Sequence, residues 1–169
     1  MIRPAVPKDA ENIASIYNYY VANTVASFEE EPITGKEMAR RIKEKPPHLP
    51  WLVYEQDGEV AGYAYANRWK ARAAYRYAVE STIYLNQACA GKGIGTALYA
   101  ELIAQLRLAG CHCVLAGISL PNEASIALHE KFGFQKIAHF KQVGFKFGRW
   151  VDVGYWQLLL TDAAASPLQ

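Results

Sequence analysis

Three glycines at alternate positions, Gly91, Gly93 and Gly95, lie between an apolar strand pattern and an apolar-faced helix pattern in residues 85–98. Glycine lets a backbone bend tightly and approach a ligand, and the first N–H groups of a helix have no partner within it. Such a loop cradles an anion, a diphosphate above all. Two nucleotide-binding signatures fail on this loop. A P-loop needs Ser or Thr directly after Gly-Lys, but Lys92 is followed by Gly93. A dinucleotide loop wants an acidic residue about 20 positions further on. This chain reads Cys113-Val114-Leu115-Ala116-Gly117-Ile118 there. On spacing alone the glycines also fit a plain tight turn from strand to helix.

Other residues in this half of the chain carry ionisable groups. In the strand pattern 78–85, alternation puts Ala78, Glu80, Thr82 and Tyr84 on one face, so the Glu80 carboxylate stands among mostly apolar neighbours. An ordinary surface glutamate satisfies the same pattern. His129 lies one and two helical repeats beyond Ser125 and Asn122, which places the three on one face. A hydrogen-bonded packing histidine fits there equally. Arg68, Lys70, Arg72 and Arg76 are interleaved with Trp69, Tyr75 and Tyr77. Cations alternating with rings suit single-stranded nucleic acid. With neutral surroundings they leave a poor electrostatic footprint, so no nucleic-acid partner is expected and a solvated loop is the commoner arrangement. Cys89, Cys111 and Cys113 are odd in number and form no Cys-x-x-Cys pair. They imply neither a disulfide framework nor a zinc site, and no metal is expected.

The elements that must position these groups can be read from periodicity. Residues 2–5 form a short strand, after which Asp9 caps a helix carrying Ile13, Ile16, Tyr17 and Tyr20. An irregular stretch, 23–32, precedes Thr34-Gly35-Lys36-Glu37, a capping box that opens a second helix ending near Pro46-Pro47. Strands 51–55 and 60–66 meet at Asp57-Gly58, a hairpin signal. After the glycine loop come a helix over about 93–109 closed by Gly110, a buried strand 111–118, and a helix capped by Asn122 that stops at Gly133. Strands over about 135–145 and 151–160 meet near Gly148, and an Ala-rich tail from about residue 162 is expected to fray. At 169 residues and 51% hydrophobic, the chain reads as one α/β domain, residues 1–169. No apolar run reaches membrane-spanning length and Met1-Ile2-Arg3-Pro4 lacks a signal-peptide core, so a cytoplasmic protein without a membrane partner is expected. A net charge of +2 leaves any charge logic local.

This order of elements, with Ala90-Gly91-Lys92-Gly93-Ile94-Gly95 and Leu128-His129-Glu130-Lys131-Phe132-Gly133-Phe134, resembles the GCN5-related N-acetyltransferase (GNAT) superfamily. Ala90 stands where that loop pattern begins with Gln or Arg, which removes one side-chain contact to a diphosphate. Six further blocks are similar to phosphinothricin N-acetyltransferases: Trp51-Leu52-Val53, residues 57–62, Trp69-Lys70-Ala71-Arg72 with Ala74-Tyr75, Glu80-Ser81-Thr82-Ile83-Tyr84, Leu120-Pro121-Asn122, and residues 150–157. The resemblance implies the GNAT fold, an α/β (α+β) domain with a mixed, mostly antiparallel sheet of about seven strands and about four helices. It implies acetyl-CoA as donor and a small amino-acid analogue, such as phosphinothricin or methionine sulfoximine, as acceptor.

On that resemblance Glu80 is the general base, and a backbone N–H among Ile83, Tyr84 and Leu85 stabilises the oxyanion beside the pantetheine arm. Gly91, Lys92, Gly93, Ile94, Gly95 and Thr96 hold the diphosphate, and Asn122 caps its helix or bonds the pantetheine. His129 stands where the superfamily usually has a tyrosine that protonates the thiolate. It is a candidate acid in that role, with an ordinary pKa near 6.5. Arg72, Ala73, Ala74 and Tyr75, closed over by Phe28 and Glu29, are the candidate acceptor pocket, since the arginine fork suits a carboxylate. Family members are commonly dimers, and the rings at Trp150, Tyr155 and Trp156 suit either a homodimer contact or sheet packing. Two other readings stay open: an acetyltransferase for a protein N-terminus or a polyamine, and a non-catalytic acyl-CoA sensor.

Overall fold

The structure is a computed structural model that describes residues 1–160, and the tail expected to fray from about 162 lies outside the described residues. The elements run β1 (Ile2–Pro4), α1 (Ala10–Asn23), α2 (Gly35–Glu44), β2 (Trp51–Gln56), β3 (Glu59–Arg68), β4 (Ala78–Leu85), α3 (Ile94–Leu108), β5 (Cys113–Ser119), α4 (Glu123–Lys131), β6 (Gln135–Lys146) and β7 (Arg149–Leu159). The strands form one sheet in the order β1-β2-β3-β4-β5-β7-β6, antiparallel at every pairing except β4 with β5. This is the expected mixed sheet with four helices.

Both hairpins turn where the chain puts two residues at positive φ. Asp57 and Gly58 lie at 53° and 81°, and Phe147 and Gly148 at 51° and 71°, the twist that matches flanking strands. Alternation then divides the side chains between two cores. On one face Leu98, Tyr99, Leu102 and Leu106 of α3 pack on Ala64, Ala66, Val79, Val114 and Ala116. Small residues on the sheet let that helix sit close. On the other face Ile13, Tyr17 and Val21 of α1 and Met38 and Ile42 of α2 cover Val53 and Tyr63. Thr34 Oγ1 accepts from Glu37 N at 3.1 Å, as expected for a cap. The Glu37 carboxylate turns forward to Arg40 and Arg41, so the reciprocal half of the box does not form.

The expected cap at Asp9 is corrected by the structure. A single 3-10 turn, Pro7–Asp9, runs straight into α1, and Asp9 already has helical backbone angles with no side-chain cap bond. Its carboxylate, in a residue only 4% exposed, instead accepts from both Arg3 amino groups at 2.8 and 2.9 Å and from Val6 N at 2.9 Å. A buried carboxylate needs a cation, and β1 supplies one. The Arg3 guanidinium holds the Asp9 carboxyl below the usual carboxylate range. Its stabilisation is therefore complete above the ordinary pKa near 3.9 and is lost as pH falls through the lower folded-state value. Asp9→Asn should cost about 2 kcal/mol at neutral pH, read as a lower urea midpoint. The difference from wild type should shrink in acid below about pH 4.

Candidate active site

β4 and β5 pair only from Ala78–Cys113 to Glu80–Leu115. Beyond that rung β4 stays with β3 as far as Leu85, while β5 stays with β7 as far as Ser119, so the two strands diverge and leave an opening in the sheet. This is the splaying that a free oxyanion donor on β4 requires. Asn86 N donates to Ala61 O at 2.9 Å, which fixes the phase of the β3–β4 ladder. Counting back by twos, Tyr84 and Thr82 turn their N–H groups to β3, whereas Leu85 and Ile83 turn theirs to the opening. Leu85 N meets Tyr20 Oη at 3.4 Å, and that hydroxyl donates to Leu85 O at 2.7 Å.

Two clefts meet in this opening. One, of about 410 Å³, runs between β4 and α4 and is bordered by Ile83, Tyr84, Leu85, Gly91, Asn122 and His129 among others. The other, of about 500 Å³, is walled by Val25, Ala26 and Phe28, by Trp69 and Lys70, and by Phe140, Val143, Val153 and Tyr155. Glu80, Gly117, Ser119 and Ala26 line both. Glu80 is half-buried, and burial raises its pKa above the ordinary glutamate value. Tyr155 Oη donates to Glu80 Oε1 at 3.2 Å and opposes part of that rise. The hydroxyl of Tyr155, which is half-buried beside the carboxylate, is pushed up to about 12 by burial and by the Glu80 charge. Gly117 makes the space for both groups: a Cβ there would come within 3.1 Å of the Tyr155 ring and 3.2 Å of Glu80 Oε1.

At the far end of the first cleft, Gly91 and Gly93 hold φ of 76° and 78°, where a side chain is strained. Gly93 is the N-cap of α3 and the first bond within the helix is Ala97 N to Gly93 O at 3.0 Å. The N–H groups of Ile94, Gly95 and Thr96 therefore have no acceptor in the helix, and no side chain caps it, in contrast to α2 and α4. Lys92 is exposed beside them. The Ile94 side chain belongs to the core. At Gly95 an added Cβ would lie 3.3 Å from Leu85 Cδ1, so this glycine seats α3 on the sheet.

Asn122 Oδ1 accepts from Ser125 N at 3.1 Å, which commits its oxygen to the cap. His129, 3% exposed, places Nδ1 2.7 Å from Ser125 O and its ring edge-on to Tyr99 and Phe134. A carbonyl only accepts, so Nδ1 carries a proton and donates it to Ser125 O. Burial lowers the imidazole pKa, and the bond to Ser125 O opposes part of that shift.

The acceptor-pocket residues are only partly brought together. Phe28 lines the second cleft. The Glu29 carboxylate is bound by Arg41 at 2.7 and 3.3 Å and does not line it. Arg72, Ala73, Ala74 and Tyr75 form an exposed turn outside both clefts, with the Arg72 guanidinium over the Tyr75 ring at 5.7 Å. The cation that reaches the cleft is Lys70, and the tyrosine that does so is Tyr155, which the sequence placed in packing or a dimer contact. Phe140 and Val143 enter it because β6 bulges between Phe140 and Gly144. Asp152 pins that bulge, accepting from Gln142 N at 2.8 Å and pairing with His139 at 2.7 Å. Among the described residues no group of three or more potential ligand side chains is placed to hold a metal ion.

A sheet parted at one parallel pair, with an uncapped helix at one end of the gap and a half-buried carboxylate at its root, is the architecture of an acyltransferase. A family model described as "Acetyltransferase (GNAT) domain" matches residues 2–154, and the chain belongs to that family. It is 40% identical over 156 residues to a phosphinothricin N-acetyltransferase of Streptomyces viridochromogenes, covering 92% of this chain and 85% of the relative. It is 39% identical over 165 residues to an L-methionine sulfoximine/L-methionine sulfone acetyltransferase of Salmonella typhimurium, covering 97% and 96%. Among solved structures, a phosphinothricin acetyltransferase of Sinorhizobium meliloti in complex with AcCoA superposes with a TM-score of 0.94 at 39% identity, covering 100% of this chain and 93% of that one.

The Glu80–Tyr155 contact sets a measurable property of the site. In Tyr155→Phe the carboxylate loses its one side-chain donor among the described residues. A carbon-13 NMR titration of the Glu80 carboxyl should show its midpoint moving to higher pH than in wild type, because hydrogen bonding favours the charged form.

Proposed function

We propose that this protein transfers an acetyl group from acetyl-CoA to the amino group of a small amino-acid analogue such as phosphinothricin or methionine sulfoximine. The observation that carries the reading is the position of Glu80, where one cleft reaching the glycine loop before α3 meets a second one. Relatives at 39–40% identity bear those acceptors in their names, and a structural neighbour is a complex with AcCoA. The site residues fit that donor. The free N–H groups at Ile94, Gly95 and Thr96, with Lys92 beside them, suit the diphosphate, and β4 from Ile83 to Leu85 with Asn122 suits the pantetheine arm. Acetyl-CoA supplies an activated thioester.

Glu80 takes a proton from the acceptor ammonium, directly or through one water, and its raised proton affinity suits it to that task. Ile83 N–H, turned to the opening, donates to the carbonyl oxygen as negative charge develops there. The free amine attacks the thioester carbon without a covalent enzyme intermediate; as the C–N bond forms the C–S bond breaks, and coenzyme A leaves as a thiolate that takes up a proton from solvent. Lys70 in the second cleft suits an acceptor carboxylate, and a lone cation there disfavours a polyamine. Trp69, Phe140 and Val143 suit the apolar part of the acceptor.

A homodimer is part of this reading. Ile137, Phe145, Phe147 and Trp150 are all more than half exposed on the hairpin of β6 and β7, and β6 is an edge strand. A patch of rings on a sheet edge is a surface made to be covered. Sedimentation should show wild type as a dimer and Phe145→Ser with Trp150→Ser as a monomer. No helix among the described residues is long and apolar enough to cross a membrane. We assign the protein to the cytoplasm, a reducing compartment that suits its three free cysteines.

Thiol release with a panel of phosphinothricin, methionine sulfoximine and ordinary amino acids tests the substrate class; acceptor-independent rates throughout the panel would end it. Glu80→Gln should lower the rate at neutral pH about a hundredfold or more, with partial recovery at high pH where the amine is already free. Wild-type activity should fall as acid protonates Glu80, with a midpoint above the ordinary glutamate pKa. The same variant should be no less stable than wild type. A raised folded-state pKa means that the charged form is disfavoured in the fold, so the carboxylate costs stability above that pKa.

A further inference from the structure

The segment joining α1 to α2, residues 24–34, pairs with no strand, yet three consecutive carbonyls in it are held by side chains from three different strands. Ser119 Oγ of β5 donates to Val25 O at 2.6 Å, and Tyr84 Oη of β4 donates to Ala26 O at 3.1 Å. Lys146 Nζ of β6 donates to Ser27 O at 2.7 Å. The same ammonium donates to Val21 O, in the last turn of α1, at 2.7 Å, and faces the Phe147 ring at 4.9 Å. Lys146 is 1% exposed. An ammonium offers three donors, and two carbonyls with one ring face account for them.

Burying a lysine is expensive, and the strand itself does not need one at this place. An apolar side chain would fill the position and leave the β6–β7 ladder intact. What the apolar side chain would not do is join the end of α1 to Ser27. Two residues away on β6, Gly144 leaves the space that the Phe28 ring occupies, since a Cβ there would come within 2.4 Å of Phe28 Cζ. The strand thus fixes both the backbone of Ser27 and the ring of the next residue.

We propose that Lys146 is a positioning residue for the acceptor: it holds Val25–Phe28 as a wall of the acceptor cleft built before any acceptor arrives. This rests on the second cleft being the acceptor side, as argued above. Lys146 itself lines neither cleft. Its effect falls on the acceptor side because Val25 and Phe28 line only that cleft.

Hydrogen exchange and steady-state kinetics on the full chain test this together. In wild type the amides of Ala26 and Glu29, which donate to Thr24 Oγ1 and Ser27 Oγ, should be protected equally with and without acceptor. In Lys146→Met they should lose protection while β3 and β4 keep theirs. The acceptor KM should rise about tenfold or more, with the acetyl-CoA KM within about twofold of wild type. Equal rises in both constants, or no rise in either, would overturn the proposal. So would a wild-type segment that becomes protected only when acceptor is added, and that measurement holds even if Lys146→Met does not fold. Wild type that turns over no acceptor would instead remove the enzymatic reading, and the exchange data would still judge the clamp.

Discussion

The parallel ladder between β4 and β5 stops after Glu80, and the opening at the centre of the site follows from where the backbone groups beyond it go. In a closed sheet the N–H groups of Ile83 and Leu85 would be consumed by β5. Because β5 turns away with β7, those donors face a gap, and the side chain at the last shared rung stands at its root. Glu80 is therefore half-buried without being sealed, which raises its proton affinity and leaves a path to it. The same divergence explains Gly117. It sits on β5 just past the split, opposite Tyr155 in register, and its missing side chain is what lets the tyrosine reach the carboxylate.

The segment between α1 and α2 solves a different problem. Backbone groups buried away from water must be paired, and this stretch has no neighbouring strand to pair with. Side chains take over. Asn18 imitates a strand partner by donating to Ile33 O and accepting from Ile33 N, both at 2.8 Å. Tyr17 shares a hydrogen bond with the Ser27 hydroxyl at 2.7 Å, and Arg41 ties down Glu29. With the contacts from Ser119, Tyr84 and Lys146, side chains pair the backbone of an irregular stretch.

What was legible in the sequence was local. The bounds of β4, the Asp57-Gly58 turn, the Thr34 and Asn122 caps and the glycine loop each depend on residues within a few positions of one another, and each is present in the structure. Glu80 was legible through alternation together with the family resemblance. Contacts that span the chain left no such trace. Ser119 meets Val25 across 94 positions and Lys146 meets Ser27 across 119, so nothing nearby announces either. Asp9 is a local exception: Arg3 stands only six positions before it, and the ion pair takes the carboxylate that the pattern alone reads as a cap. Lys70 over Arg72 is a matter of geometry. β3 ends at Arg68 beside the Glu80 strand, and the chain has already turned outward by Arg72.

Hanging one wall of a cleft from side chains instead of a ladder has an evolutionary consequence. A strand cannot move without breaking the pairing of its neighbours, whereas residues 25–28 hang from three anchors whose own strands are complete without them. Substitutions at those anchors, or at the gap beside Phe28, redraw the pocket while leaving the sheet and the loop before α3 as they are. Such a scaffold reshapes one cleft in single steps and keeps the rest of the fold.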